Sequence, residues 1–450
     1  MQLVWNKGKQ SERKECALLR GASPLSQSQE KCLNLFFYTS LVGTVAAMLG
    51  IILYYVYAFA AHHNGDASFD WLLGIFSDFV EIMNASLKDS PYITNGTSYP
   101  PIAVMVLYPF ALICQKVFAT YSHMEGLTVD ELTARVILHK EFWIAILLFF
   151  FLSILSTIFI VIKKYRLDRI SALKVASLIT FAAPFIYAIM RGNTIYFALV
   201  FLLLFLLLYE SPSPAVRELS YLCLVLAGSI KIYPLFFGIY LLRKKKFFAS
   251  VRVGLYFAIL FFLSFHFFQT GLEGMDPFVD NLSGFVFSDD RWLSMRNVSI
   301  SSMLYKLFYL ISPSVANGTV FTVVNIVFLS AFFLGATLTG IATRSPFSRA
   351  VIATAVMVLF PTVSYFYVLI FTIVPFMEFL RDYDNLSEKK QKAYTAGFFF
   401  LFMTFFLLPQ CFIPHGLIVL AMFVAEAYNV IKQELIPFFQ RNRKEIQEIK

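Results

Sequence analysis

Long apolar segments alternate with short polar ones along almost the whole chain. The apolar segments fall near residues 33–61, 142–162, 172–190, 194–209, 219–242, 250–268, 318–341, 349–380, 393–411 and 415–431. An α-helix needs about 20 apolar residues to cross a hydrocarbon core about 30 Å thick, and most of these segments are near or above that length. The pattern therefore predicts an all-α protein, a polytopic transmembrane helical bundle.

Clusters of basic residues between these segments predict how the chain is oriented. They lie at 163–166, 243–246, 344–349, 389–392 and 441–444, and in the stretch before the first apolar segment. Lys and Arg concentrate in the cytoplasmic loops of membrane proteins. The clusters share one side only if 219–242 and 349–380 are hairpins that turn near 229–234 and 361–364. The chain then has about twelve spans and both termini in the cytoplasm, as a multi-pass protein of the cell membrane.

We expect a single transmembrane domain between two basic tails. The predicted parts are a tail at 1–31, a domain at 32–432 with outer loops at 62–140 and 269–317, and a tail at 433–450. Residues 100–120 are long enough to span, but a span there would invert every later loop. We therefore expect this segment to be re-entrant or to lie along the outer interface, where protein or a watery cavity covers its backbone.

The first outer loop contains a pattern typical of an interfacial helix. Its polar positions from Asp70 to Lys88 fall within about a third of a helical wheel, opposite Trp71, Phe79 and Met83. Such an amphipathic helix is expected to lie in the plane of the membrane interface.

Composition agrees with membrane insertion and narrows the classes of function. The chain is 58% hydrophobic and 14% charged with a mean hydropathy of +0.70, which excludes a soluble protein. The net charge of +9 is explained by cytoplasmic loops and anionic lipid, so we predict no nucleic-acid partner. The five cysteines have neither metal-like nor disulfide-like spacing, and no nucleotide-binding motif is present. We predict no cofactor and no metal site.

Seven short motifs occur in a fixed order along the chain. They are Ser77-Asp78-Phe79, Ser90-Pro91-Tyr92, Tyr99-Pro100-Pro101-Ile102, Arg191-Gly192-Asn193, Lys231-Ile232-Tyr233-Pro234, Asn297-Val298-Ser299-Ile300 and Pro361-Thr362-Val363-Ser364-Tyr365. In this order and spacing, over about residues 33–432, they resemble glycosyltransferase family 87. That family is the mannosyltransferase-like branch of the GT-C membrane glycosyltransferases that depends on polyprenyl-phosphate mannose.

The resemblance implies a GT-C-like fold whose outward-facing cavity is roofed by the first loop. It implies inverting transfer of a hexose, with mannose favoured, from a polyprenyl-phosphate donor to a glycolipid or cell-envelope glycan acceptor. An Asp of the first loop would be the general base: Asp78 matches the family position best, Asp70 second and Asp66 third. This chemistry needs a carboxylate near the acceptor hydroxyl and positive charge near the leaving phosphate.

The cations and polar groups of the later motifs are the candidate substrate-binding residues. They are Lys231, Arg191, Asn193, Tyr233, Tyr99, Arg296, Asn297 and Ser299. Lys231 lies in an apolar stretch, where a charge costs at least about 2.5–3.5 kcal/mol. A donor phosphate bound by Lys231 would offset that cost. The alternatives are a side chain that snorkels to the interface or a buried ion pair. Arg191 is either a phosphate ligand or an interfacial anchor, and Arg291 and Arg296 either bind phosphate or pair with Asp289 and Asp290.

One departure and two competing functions remain. Where the family often has His after the Pro-Ser turn, this chain has Tyr365-Phe366-Tyr367, so no His role is carried over.

A flippase or secondary transporter of lipid-linked sugars would place charges near the midplane of two repeated halves. The acids instead gather in the outer loops and no repeat is visible, which favours an enzyme. A polysaccharide polymerase would use Arg-rich outer loops, and only Arg291 and Arg296 fit that.

Overall fold

The structure is a computed structural model that describes residues 25–61, 75–121, 124, 126–244, 246–403, 413–438 and 440. Within these residues the chain is helical and contains no β-strand, which confirms the all-α prediction. Asp66, Asp70, His62 and His63 lie outside the described residues, as do most of the two predicted tails.

The α-helices are numbered here in chain order. They are α1 (Gln27–Ala61), α2 (Ser77–Ser86), α3 (Pro91–Thr94), α4 (Pro101–Ile113), α5 (Gln115–Tyr121), α6 (Val129–Val136), α7 (Lys140–Tyr165), α8 (Arg169–Phe181), α9 (Ala183–Arg191), α10 (Ile195–Leu208), α11 (Pro214–Ile230), α12 (Ile239–Arg243), α13 (Phe247–Phe265), α14 (Met275–Val286), α15 (Asp289–Leu293), α16 (Ile300–Ile311), α17 (Pro313–Ala316), α18 (Thr319–Ala342), α19 (Pro346–Leu359), α20 (Ile373–Asp382), α21 (Glu388–Met403) and α22 (Ile413–Val430). Short 3₁₀ segments include Tyr233–Gly238 and Phe366–Thr372, and a π-helical turn, Ile431–Leu435, follows α22.

Four helices of the described residues are long and apolar enough to cross a membrane: α7, α13, α18 and α22 with its continuation to Phe438. The bent pairs α4–α5 and α8–α9, with angles of 90° and 50°, raise the number to six if each pair is one span. A helical membrane bundle is therefore supported, whereas the predicted count of about twelve spans is not confirmed. The 90° bend of α4–α5 is compatible with the expected re-entrant segment.

The chain reverses direction at both predicted hairpins. Glu210 precedes α11 and Lys244 follows it, yet the two side chains form an ion pair at 2.8 Å. The chain therefore turns back after α11 and returns to the level at which that helix begins. After α19 it turns again, and the ring of Phe379 in α20 lies 5.9 Å from that of Phe347 at the start of α19. Pro234 and Pro361 stand at these breaks, where a missing N–H cannot continue a helix.

Three of the predicted basic clusters, 163–166, 243–246 and 344–349, meet at one end of the bundle. Three contacts join them: Lys164 to the carbonyl of Leu206 at 3.2 Å, Lys244 to Glu210 at 2.8 Å, and Arg243 to the carbonyl of Thr343 at 3.0 Å. The 26 residues of α7 extend about 39 Å, at 1.5 Å per residue, from this basic end to the neighbourhood of α2. The bundle thus has a basic end and, opposite it, an end formed by α2 and the helix breaks.

Burial distinguishes the centre of the bundle from its apolar surface. Every residue of α19 from Phe347 to Leu359 is buried, so this helix forms the centre. By contrast α13 and α18 expose large apolar side chains, such as Phe248 (81% exposed) and Val320 (61%). A helix that is apolar on all sides needs either protein or lipid around it, so these exposed faces are suited to a bilayer.

The helix of the first loop differs from the prediction. Eight of the ten residues of α2 are buried, and Asp78 is only 4% exposed. The ring of Phe79 packs against Phe110 and Phe149 at 6.1 and 5.1 Å, so the apolar face of α2 contacts protein. The expectation of an interfacial surface helix is wrong for this part of the loop, because α4 and α7 supply the apolar contacts that lipid was expected to provide.

Candidate active site

A cavity of about 610 Å³ lies at the end of the bundle opposite the basic clusters. It is enclosed by α2, by residues 96–100, by the end of α9, by the turn after α11, by α13 to α15, and by the segment 361–368. Its size is within the range of sites for small ligands, about 300–1,000 Å³. Its lining includes charged and tyrosine side chains as well as phenylalanines.

Asp78 is fixed by the motif that follows α9. Arg191 forms an ion pair with its Oδ1, and the Nδ2 of Asn193 donates to its Oδ2 at 2.6 Å. Between them Gly192 ends α9 with φ +61°, a left-handed conformation that favours glycine. A Cβ there would lie 2.5 Å from the Cβ of Phe79, so the close approach of α2 to this turn also requires glycine.

Glu81 lies one helical turn after Asp78 and lines the same cavity. Its side chain is half-buried, and within the described part of the chain its carboxylate makes no hydrogen bond or ion pair. Burial raises the pKa of Glu81 to about 7; the nearby charge of Asp78 raises this pKa further, while Arg191, Lys231 and Arg291 lower it. The pKa of Glu81 is therefore much closer to neutrality than that of an ordinary carboxyl group.

Two cations face these carboxylates without an acidic partner among the described residues. Lys231 follows α11 in extended conformation, and its Nζ lies 4.6 Å from the centre of the Tyr99 ring. The guanidinium of Arg291 lies 4.6 Å from the centre of the Phe285 ring and donates a 3.1 Å hydrogen bond to the hydroxyl of Tyr365. Cations that are held by aromatic rings, and that form no close ion pair within the described residues, are suited to an anionic ligand.

Asn297 joins two segments of the cavity wall. Its Nδ2 donates to the carbonyls of Arg291 and Thr362 at 3.2 and 3.1 Å, and its Oδ1 accepts from the backbone N–H groups of Ser299 and Ser364 at 3.1 and 3.0 Å. These bonds use all four hydrogen-bonding positions of the amide. Ser299 caps α16 and donates to the carbonyl of Thr362 at 2.8 Å. Both residues are fully buried, so their observed contacts position the wall.

The predicted site residues are thus separated into those that line the cavity and those that lie outside it. Lining the cavity are Asp78, Tyr99, Arg191, Lys231 and Tyr233. Asn193 lies behind Asp78 and is fully buried, whereas Arg296 is exposed and outside the lining. Asp70 is not among the described residues.

Glu81 was missed as a site residue, and Tyr365 and Tyr367 were missed with it. The signal for Glu81 was present in the sequence, because positions three apart on a helix share a face and Asp78 was already a candidate. The sequence did not show where that face points. The predicted interfacial helix would have turned it to solvent, whereas the structure turns it to the cavity.

The remaining wall is aromatic. Phe257 and Phe261 of α13 and Phe278 and Phe285 of α14 line it, and Ile232 next to it is 65% exposed. Because α13 also carries the exposed apolar surface of the bundle, this side of the cavity adjoins the region suited to lipid.

Groups that could support other chemistry are sparse. In the part of the chain that the structure describes, no three His, Cys, Asp or Glu side chains gather closely enough to hold a metal ion. His415 is fully buried with its ring 4.9 Å from those of Phe366 and Phe400, and it is not among the residues that line the cavity.

A family model described as glycosyltransferase family 87 matches residues 97–364, which is more than half of the 450 residues. No curated protein and no solved structure matches the chain. The matched region contains Tyr99, Arg191 and Lys231 and begins after α2. Asp78 and Glu81 precede the matched region, so the family match says nothing about their roles.

Proposed function

Because the chain belongs to glycosyltransferase family 87, it is a membrane glycosyltransferase, and we propose that it uses a polyprenyl-phosphate hexose, with mannose favoured, as its donor. The acceptor is a lipid-linked or cell-envelope glycan. The observation that carries this proposal is the cavity, in which the carboxylates of α2 face the cations Lys231 and Arg291.

The charges of the cavity suit a donor with a single negative charge. Arg191 is paired with Asp78, so Lys231 and Arg291 are left to face Glu81 and whatever ligand enters. A sugar linked to a lipid phosphate is a phosphodiester, and its phosphate gains charge as the bond to the sugar breaks. Cations that are already in place stabilise this developing charge without reorganisation.

The aromatic side of the cavity supports a lipid-linked donor. With the phosphate between Lys231 and Arg291, the first isoprene units would lie against Phe257 and Phe261. The remaining chain would then pass beside α13 into the bilayer, because the outer surface of that helix is apolar and exposed.

The proposed reaction is a single displacement that inverts the configuration of the sugar. The oxygen of the acceptor hydroxyl forms a bond to the anomeric carbon from the side opposite the phosphate. The bond between that carbon and the phosphate oxygen breaks, and its electron pair leaves with the polyprenyl phosphate. A carboxylate of α2 takes the proton of the hydroxyl; the resemblance of the sequence nominates Asp78 for this step.

We propose that the cavity faces away from the cytoplasm. The basic clusters 163–166, 243–246 and 344–349 meet at the other end of the bundle, and the positive-inside rule assigns that end to the cytoplasm. The reaction would then use donor and acceptor on the outer face of the cell membrane.

The test is transfer by the purified protein in lipid nanodiscs with a panel of polyprenyl-phosphate hexoses and envelope glycolipids. We expect a product that carries one more hexose, release of polyprenyl phosphate, and inverted configuration at the new bond by NMR. Lys231→Gln should lower kcat by about 10²–10³ if its charge stabilises the leaving phosphate. The matched control is Lys116→Gln, an exposed lysine outside the cavity.

Absence of any covalent product, together with movement of a fluorescent lipid-linked sugar across liposomes that contain the protein, would replace this proposal by a flippase. Equal loss in Lys231→Gln and Lys116→Gln would contradict the assignment of Lys231 to the phosphate.

A further inference from the structure

We propose that Glu81, and not Asp78, accepts the proton of the acceptor hydroxyl, and that Asp78 is a positioning residue that holds α2 against the turn after α9. This inference rests on the proposed function, since it assigns a role within that reaction. It assigns the role of general base to Glu81, whereas the sequence resemblance favours Asp78.

The contacts of Asp78 are those of a structural anchor. Each of its oxygens already accepts a hydrogen bond, one from Arg191 and one from Asn193, and the residue is 4% exposed. Asn193 is itself fixed, because its Oδ1 accepts from the backbone N–H of Ile195 at 3.0 Å. To receive a substrate proton, Asp78 would have to give up or share contacts that tie α2 to two other elements.

Asp78 and Glu81 both line the cavity, but the oxygens of Asp78 already accept hydrogen bonds. Glu81 is half-buried, and no protein group among the described residues occupies its oxygens. A general base must reach the proton that it abstracts in a plausible position of the substrate. Lys231 and Arg291 also line the cavity, so an acceptor hydroxyl beside Glu81 shares the space in which the donor phosphate is expected.

The electrostatic surroundings of Glu81 suit proton transfer near neutral pH. A general base works best when its pKa is near the operating pH, and burial raises the pKa of Glu81 to about 7. Because the base must be ionised, transfer should be lost as the pH falls through about 7 and should level off above it.

The transfer forms one bond to the anomeric carbon, breaks one, and moves one proton. The hydroxyl oxygen bonds to the anomeric carbon, its proton goes to the carboxylate of Glu81, and the electron pair of the broken bond goes to the leaving phosphate. Glu81 then returns the proton to water that enters the cavity. Asp78 stays paired with Arg191 throughout.

The experiment compares Glu81→Gln, Glu81→Asp and Asp78→Asn with the wild-type chain in the transfer assay, over pH 5 to 9. The matched control is Glu273→Gln, an exposed glutamate outside the cavity. We expect Glu81→Gln to lower kcat by about 10²–10⁴, the range for a general base, and to abolish the acid limb of the kcat/KM profile. Glu81→Asp should retain part of the rate and an acid limb, and Glu273→Gln should behave as the wild type.

A second readout is independent of activity. In an infrared difference titration, a carboxyl band that disappears as the pH rises through about 7 should be present in the wild type and Glu273→Gln and missing in Glu81→Gln. A fully folded Glu81→Gln protein that keeps the wild-type rate and acid limb would overturn the inference while the proposed function stands. The inference would also be overturned if the acid limb were lost in a folded Asp78→Asn protein but kept in Glu81→Gln. A wild-type chain that transfers no sugar would overturn both.

Discussion

The buried ion pair between Asp78 and Arg191 is the most informative contact at the scale of single residues. The side chain of Asp78 is 6% exposed and that of Arg191 28%, so the carboxylate depends on this partner and on Asn193. A buried charge that loses its partner is costly, whereas replacement of both partners can be nearly neutral. The sequence offered two hypotheses for Arg191, a phosphate ligand or an interfacial anchor, and the structure adds a third role as partner of Asp78.

Arg191→Gln should therefore lower the free energy of unfolding by about 1–3 kcal/mol, because Asp78 is left without its cation. The double variant Arg191→Gln with Asp78→Asn should recover part of that loss. Thermal unfolding in detergent measures both. Arg252→Gln is the matched control, since its pair with Glu218 is largely exposed and worth about 1 kcal/mol or less. Equal unfolding midpoints for Arg191→Gln and Arg252→Gln would contradict the buried pair.

At the scale of elements, the site depends on how closely α2 approaches the turn after α9. The backbone N–H of Phe76 donates to the carbonyl of Met190 at 2.6 Å, and Gly192 lies against Phe79. These contacts, with the ion pair, aim the polar face of α2 at the cavity. A single glycine thus couples the matched motif Arg191-Gly192-Asn193 to a helix that precedes the matched region.

Gly192→Ala should destabilise the protein and reduce transfer together, because the new Cβ must displace α2 and the carboxylates that it carries. The matched control is Gly126→Ala, where φ is +82° and nothing lies within 4 Å of the added Cβ. Both variants incur about 1–2 kcal/mol for the left-handed backbone, and only Gly192→Ala adds a steric cost of about 1–3 kcal/mol. If both variants kept the wild-type kcat in the transfer assay, the close approach would not matter for the site.

At the scale of the whole molecule, the two ends of the bundle differ. Basic residues meet at one end and the cavity opens at the other, and α7 connects the two. Helices such as α13 and α18 expose apolar faces at the surface, whereas α19 is buried in the centre. This arrangement suits a reaction on one side of a membrane better than passage through it.

Cysteine labelling tests this orientation directly. In a background whose five native cysteines are replaced by alanine, Asp289→Cys lies on α15 beside the cavity and Lys392→Cys lies on α21 near the basic clusters. Both positions are exposed. In intact cells an impermeant maleimide should label position 289, and position 392 should react only after the membrane is opened. The reverse pattern would invert the proposed topology.

The prediction of the helices from the sequence was largely correct, because their cause is local. Apolar segments fixed the positions of α7, α13 and α18 to within a few residues, and prolines marked the breaks after α11 and α19. The resemblance to family 87, which the family model confirms over residues 97–364, also followed from local motifs. The predicted count of about twelve spans is not confirmed, because helices as short as α10 and α19 are buried by protein and need not match the thickness of a bilayer.

By itself, then, the sequence determined that the chain is a helical membrane glycosyltransferase of family 87, and it predicted that a carboxylate of the first loop faces Lys231. Only the tertiary structure decided which side chains have free oxygens. Asp78 and Glu81 are equivalent in an amphipathic pattern, but Arg191 and Asn193 arrive from a segment more than a hundred residues away and bind one of them. Which carboxylate can receive a proton depends on these long-range contacts, and periodicity carries no information about them.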